Sequence, residues 1–285
     1  MQLSLALRVR RLFMGLQTLC LARHRGYFIP YRYAAQIPLK MKYHQVESFF
    51  DSQGSVLKKQ AALLEAYLPD LMELRDHNPY HVSFEQSWFP SLDASILYAL
   101  LRDVKPKRVI EVGSGHSTRF VLSALDKNNQ VCQLDLIDPV PRKEILQSQN
   151  KKVSVSFHQD ILQNQDLKLF ETLGEGDFLL IDSSHLCLPG SDVDVILSEI
   201  LPLLSRGVYI HFHDIFLPNA YPAEWTWRGY NEQQAIVPLL FDPRFTFLWA
   251  SHYVLTQKKA LLPPVFLENF SSIDGAYPSS LWLKS

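Results

Sequence analysis

From Lys105 onward the sequence alternates short apolar runs with stretches whose apolar residues recur three and four positions apart, and few architectures accept that rhythm. Runs of four to six residues rich in Val, Ile, Leu and Phe suit strands buried on both faces. Parallel neighbours in such a sheet can be joined only by crossovers of a dozen or more residues, which a helix fills. Strands are expected at Arg108 to Val112, Val131 to Ile137, Val153 to Phe157, Phe178 to Ile181, Val208 to Phe212 and Phe245 to Ala250, with a last one at Ser280 to Lys284. Helices near 117–125, 161–173, 193–204 and 232–240 fall between them, the signature of an α/β domain with a mainly parallel sheet.

Upstream, Leu57, Leu64, Tyr67, Leu68 and Leu71 share one face of a helix expected over Val56 to Leu74. A second helix carries Leu92, Ile96, Leu97, Leu100 and Leu101, with Ser91 as its expected N-cap. The economical division is an N-terminal basic and helical extension, 1–88, and an α/β domain, 89–285. No internal repeat or low-complexity tract interrupts it, and 285 residues at 47% hydrophobic content suffice for one large core.

The formal charge of −1 hides an asymmetry. Arg8, Arg10, Arg11, Arg23, Arg25, Arg32, Lys40 and Lys42 all precede the first acid, Glu47. The remaining chain, with 20 Lys and Arg against 29 Asp and Glu, carries −9. The basic start reads as a solvated helix that docks on the acidic body, as an anionic-partner patch, or as a peripheral membrane or targeting helix. The arginines follow the apolar Leu3 to Leu7 stretch instead of preceding it, unlike a secretory signal, and the uncharged run Leu12 to Ala22 is too short to span a bilayer. Cys20, Cys132 and Cys187 are odd in number and far apart, which fits a reducing, cytoplasmic setting better than a disulfide framework or a zinc knuckle.

The segment Val109-Ile110-Glu111-Val112-Gly113-Ser114-Gly115-His116-Ser117-Thr118 runs from a strand through a glycine turn into a helix, the layout of a nucleotide-cofactor site. Gly113 and Gly115 permit a sharp turn and close approach of a ligand, and the helix start adds amide donors at Ser114 and beyond. Thr118 stands where a dinucleotide fingerprint has its third glycine, so a pyrophosphate is disfavoured. Asp138, about twenty residues on at the end of the second strand, is placed to accept from ribose hydroxyls. Asp135, in the same strand, faces the other side and suits a local polar contact. Asp160, just past the third strand, can either read a base or cap the following helix.

Taken in order, EVGSGHST, IDP, HQD, LLIDSSH and HFHDIF resemble the successive motifs of class I S-adenosylmethionine-dependent methyltransferases, and most of all the family-24-type methyltransferase domain. The resemblance runs from about Phe89 to about Val254 and returns at Ser280 to Leu283; GYFIPYRYA, residues 26–34, is similar to extensions carried by such proteins. It implies a Rossmann-like, seven-stranded sheet with an antiparallel last strand and helices on both faces. It also implies that Glu111, Gly113 and Gly115 hold the methionine portion of S-adenosylmethionine, Asp138 the ribose and Asp160 the adenine amino group.

Asp182 closes the fourth strand and His211-Phe212-His213-Asp214 the fifth, at sheet ends where ligands bind. Asp182, His213 and Asp214 form a metal-ligand set for Mg or Mn, by likeness to metal-dependent O-methyltransferases, although His213-Asp214 departs from their acid-acid or acid-amide pair. Alternatively His185, His211 or His213 acts as general base without metal. As a third reading, the cluster only fixes loop backbone. His116, His24, His44, His77, His81 and His252 are read as structural.

The loop with Phe216, Tyr221, Trp225, Trp227 and Tyr230 is richer in aromatics than the chain's 12% and either lids an acceptor pocket or packs on the N-terminal extension. Because the α/β portion is acidic, a small-molecule or glycan-like acceptor is expected and not a nucleic acid. O-methylation is the leading reading. A metal-dependent hydrolase or hydroxylase on the same fold, or a non-catalytic nucleotide-binding protein, are the alternatives.

Overall fold

The computed structural model of the chain describes residues 4–21, 25–26, 31–38, 41–141, 144, 147–270 and 273–285. Arg23, His24, Lys40 and part of the 26–34 stretch lie outside the described residues. Helices α1 (Leu5–Cys20), α2 (His44–Ser52), α3 (Gly54–Ala66), α4 (Leu68–Asp76) and α5 (Ser91–Val104) precede the sheet. Then follow β1 (Arg108–Val112), α6 (His116–Asn128), β2 (Cys132–Ile137), β3 (Val153–His158), α7 (Lys168–Glu171), β4 (Phe178–Ile181), α8 (Asp192–Val195), α9 (Leu201–Leu203) and β5 (Tyr209–Phe212). The chain finishes with α10 (Glu232–Phe241), β6 (Thr246–Ala250), α11 (Ser251–Gln257), α12 (Pro264–Asn269) and β7 (Leu281–Lys284).

The seven strands form one sheet in the order β3-β2-β1-β4-β5-β7-β6. The first five are parallel, and β7 inserts antiparallel between β5 and β6. Chain order reverses between β1 and β4, which opens a crevice beyond their carboxyl ends. Register levels those ends: Val112 pairs with both Ile137 and Ile181, and Ile181 with Phe212. Gly113, Asp138, Asp182 and His213 therefore emerge side by side.

Three expected elements differ. The helix expected over 56–74 is two, α3 and α4, because Pro69 has no amide hydrogen to continue the ladder and sits instead in the first turn of α4. The helix expected over 161–173 shrinks to a 3-10 turn, Leu162–Asn164, and α7, since the polar run Gln163 to Asp166 bonds to nearby backbone; the Lys168 amide donates to Asp166 Oδ1 at 3.0 Å. The helix expected over 193–204 runs without a break over 192–203, with a π-helical turn, Ile196–Ile200, inside it just before Pro202. At α5 the N-cap is Pro90, one residue earlier than expected, and the Ser91 hydroxyl donates to the Phe270 carbonyl at 2.6 Å.

Helices α2 to α5 share their core with the sheet. The Phe50 ring centroid lies 5.0 Å from that of Phe247 and 5.1 Å from that of Tyr253, and Leu57, Leu64 and Leu71 are fully buried. Helix α5 is apolar almost all round, as its central position demands, yet Asp93 in its first turn is wholly buried and accepts from the amides of Ser279 (2.8 Å) and Ser280 (3.0 Å). That carboxylate fixes the entry of β7 into the sheet. Asp135 is likewise buried and meets Arg108 at 3.0 Å and His158 at 3.2 Å, the local polar contact expected of it.

Candidate functional site

The crevice holds a cavity of about 480 Å³, within the usual range for small-molecule sites, lined by Gly113, Ser114, Gly115, Asp138, Asp182 and residues around them. Gly113 is obligatory for internal reasons. Its φ is +87°, and a Cβ there would lie 1.8 Å from the carbonyl oxygen of Asp182. Gly115 differs: its backbone is extended, and a Cβ would meet no protein atom within 4 Å. A side chain at Gly115 would take cavity space. The turn is tied down by Asp138, whose Oδ2 accepts from the Ser114 amide at 2.8 Å and hydroxyl at 3.1 Å, and by Thr118, whose Oγ1 accepts from the Gly115 amide at 3.0 Å.

Glu111 is buried at the end of β1 with one carboxylate oxygen held by the Ser117 hydroxyl and the other, Oε2, without a partner among the described residues. Burial pushes its pKa up to about 7, and the nearby Asp182 and Asp138 add to the rise against the pull of Ser117 and Thr118. An orphaned buried acceptor is uncommon enough to call for a donor from a ligand. Asp160 is exposed and lies beside the cavity, next to the lining residues Ile161, Leu162 and Gln163; its Oδ1 accepts from the Ile161 amide at 2.8 Å and from the Asn164 side-chain amide at 2.9 Å, but the N-cap of the following 3-10 turn is Ile161 and no side chain caps it.

Beyond Asp182 lies a cluster that joins the ends of β4 and β5. His185 Nε2 is 3.3 Å from both Asp182 Oδ1 and Asp214 Oδ2, and its Nδ1 is 2.8 Å from Glu232 Oε2. His213 approaches from the other side, with Nδ1 3.6 Å from Asp182 Oδ1 and 3.5 Å from Asp214 Oδ1, and Nε2 3.3 Å from Asp93 Oδ2. Each imidazole is thus gripped from behind by a buried carboxylate and aimed at the same two aspartates. His185 and Asp214 both hold left-handed backbone, φ +59° and +56°, a strain that clusters at functional sites.

Burial disfavours the charged forms of Asp182, His185 and His213, but their ion pairs outweigh it, whereas at Glu232 burial wins and raises the pKa. Asp214, Asp182 and Glu232 hold His185 well above the ordinary imidazole pKa, Asp182, Asp93 and Asp214 do the same for His213, and the two imidazoles hold Asp182 well below the carboxylate range. Among the described residues, one possible ligand atom each from Asp182, His185 and Asp214 lie within 4.8 Å of one another, and His213 flanks the same two aspartates. His211 does not join the cluster. It lies one residue pair deeper in the sheet, bonded to the Ser280 hydroxyl at 2.7 Å and packed on Trp282, and burial with the neighbouring His213 charge lowers its pKa to about 3.

The aromatic loop closes over this cluster. Tyr230 packs on His185 with ring centroids 4.7 Å apart, and Phe216, Tyr221, Trp225 and Tyr277 pack edge to face around it. The N-terminal segment also reaches the loop, for the Tyr43 amide donates to the Pro218 carbonyl at 2.7 Å and the Ala220 amide to Met41 at 3.1 Å.

Residues 110–215 match the family model described as a methyltransferase domain, the span that carries β1 through the cluster at β5. This stretch, less than half of the chain, is similar to a methyltransferase domain. An uncharacterized protein of Archaeoglobus fulgidus is 33% identical over 115 residues, covering 37% of this chain and 49% of its own length, so the chain spans about half the length of the curated relative it matches. Among solved structures, an S-adenosylhomocysteine-bound methyltransferase of Podospora anserina covers 90% of this chain and 98% of its own at 17% identity and a TM-score of 0.39. A DUF574 family protein of Streptomyces avermitilis covers 82% and 89% at 10% identity and a TM-score of 0.43.

The methyltransferase domain's cofactor fits the residues present. The unpartnered Glu111 Oε2 suits an ammonium group, the open space over Gly115 suits close approach of a ligand, and Asp138 lines the cavity with its turn already ordered. Sequence reading missed both Asp93 and Glu232 as site residues. A charged residue inside the apolar run of α5 was the available signal for the first; nothing local marks the second.

Proposed function

We propose that this domain transfers the methyl group of S-adenosylmethionine to a hydroxyl of a small-molecule or glycan-like acceptor, with Asp182, His185 and Asp214 at the reacting end and a divalent cation such as Mg or Mn held there. The observation that carries the reading is the double carboxylate–imidazole arrangement, in which Glu232 and Asp93 fix the outer nitrogens of His185 and His213 so that the inner ones face Asp182 and Asp214. Metal-ligating histidines are oriented in this way. Four carboxylates surround two imidazoles, so a divalent cation could replace two imidazolium protons without changing the cluster's net charge.

S-adenosylmethionine, when bound, supplies a methyl group on a sulfonium centre, and the cation would lower the pKa of an acceptor hydroxyl. Asp182, one quarter exposed and part of the cavity lining, is the group that links cofactor space to the cluster. Tyr230 packs over His185 and keeps water from it. Alignment of donor and acceptor supplies the larger share of the acceleration in such a transfer.

The test is transfer of isotope-labelled methyl to a panel of hydroxyl compounds with and without Mn, in the native chain and in Asp214→Asn. The proposal expects transfer that needs added metal and is lost in the variant while S-adenosylmethionine still binds. Metal-independent transfer that survives in Asp214→Asn would show that the cluster is not the reacting end.

A further inference from the structure

Helix α1 has its amphipathic pattern turned the wrong way for packing. Leu5, Val9, Leu12, Phe13, Leu16 and Leu19 recur at three- and four-residue steps and form one stripe, yet each is between 49% and 77% exposed. The half-buried positions, Leu7, Met14 and Thr18, follow one another on the opposite side. A helix that docked on the body to stabilise it would bury its stripe, since that is where its favourable transfer energy lies. Here the stripe is what the chain presents outward.

The charges around it say what covers it. Arg8 and Arg11 flank the stripe on one side and Arg10 on the other, none of the three meets a carboxylate among the described residues, and no acid precedes Glu47. Docking on the acidic body would have paired them. Two copies joined stripe to stripe would bring six arginines together with no acid between them. A surface that is apolar in depth and anionic at its face satisfies both features, and the helix, about 24 Å long, fits in the plane of such a surface. No described helix is long and apolar enough to cross a membrane.

We infer that α1 is an interfacial anchor that seats the chain on an anionic lipid bilayer, its leucine and phenylalanine stripe in the acyl boundary and its arginines at the headgroups. The site of methyl transfer would then work at a membrane face, whatever its acceptor.

The test is co-sedimentation of the full chain with vesicles of phosphatidylcholine alone and of phosphatidylcholine with phosphatidylserine, at low and high salt, together with its sedimentation velocity without lipid. Binding should require phosphatidylserine and weaken with salt. The triple variant Arg8→Gln, Arg10→Gln, Arg11→Gln should bind on the order of a hundredfold more weakly, at about fivefold per arginine. Leu12→Glu with Phe13→Glu should bind weaker again, on the order of a hundredfold below the native chain or beyond. Thermal unfolding unchanged in both variants would confirm that the body is intact. The inference fails if the native chain ignores phosphatidylserine vesicles, if the arginine variant binds as well as the native chain, or if the chain is a dimer that Leu12→Glu dissociates, since a second copy would then cover the stripe.

Discussion

Glu111→Gln should make the protein more stable and less able to bind its cofactor, and the two effects have one cause. The carboxyl is buried with Oε2 unpartnered, and its pKa stands at about 7 in the folded chain against an ordinary 4.5. Because the folded value is the higher one, its contribution to stability is intact below the unfolded pKa and is lost as pH rises through 4.5 towards 7 and beyond. A rise of this size corresponds to about 3 kcal/mol lost at pH well above 7. Gln removes that penalty but leaves a buried amide hydrogen pair where Oε2 was, at a cost of about 1–2 kcal/mol. The variant should therefore be more stable than the native chain by about 1–2 kcal/mol at pH 8 and less stable by up to about 1 kcal/mol at pH 5, where the native carboxyl has lost less than about 1 kcal/mol. Urea denaturation at the two pH values, each without cofactor, reads the crossing directly. At pH 8, S-adenosylmethionine should raise the native chain's midpoint and leave the variant's nearly unmoved. A stability difference that does not change between pH 5 and pH 8 would refute the claim that Glu111 is held uncompensated in the empty fold.

The two glycines of the turn should separate fold from function. Gly113→Ala drives a Cβ into the Asp182 carbonyl and should cost more than about 3 kcal/mol in chemical denaturation, whereas Gly115→Ala should unfold like the native chain yet lose cofactor affinity in calorimetry. Glu232→Ala removes the partner of His185 Nδ1 and should lower metal affinity and transfer by about 10- to 100-fold; unchanged Mn affinity by calorimetry would count against the orientation argument. Since both imidazoles hold their protons well above the ordinary pKa, Mn binding at neutral pH should release protons, up to about two, in a weakly buffered titration; binding with no release would mean that neither histidine yields to the cation.

The sheet was legible because its strands are uniform apolar runs with crossovers of the right length, and all seven are placed to within a residue of their observed limits by that pattern alone. Where the reading failed, the deciding interaction was either a single breaker or a contact from far along the chain. Pro69 splits a helix whose apolar spacing continues through it. The glycine turn and Asp138 were readable because strand register delivers them together. His211 and His213 were indistinguishable in sequence, both pointing to one face of β5, and only the approach of Ser280 from β7 and of Asp93 from α5 assigns one to the core and the other to the cluster. His185 and Glu232, 47 residues apart, meet because the aromatic loop folds back across the sheet end, which no local spacing encodes.

The central claim is that the crevice at the β1–β4 switch point binds S-adenosylmethionine. Calorimetric titration of the full chain with S-adenosylmethionine tests it most directly, with Gly115→Val as the control because that side chain would occupy cavity space and touch no protein atom at its Cβ. The account predicts saturable binding of one molecule per chain, abolished in Gly115→Val at an unchanged unfolding temperature. Absence of binding in the native chain, or equal binding in the variant, would contradict it.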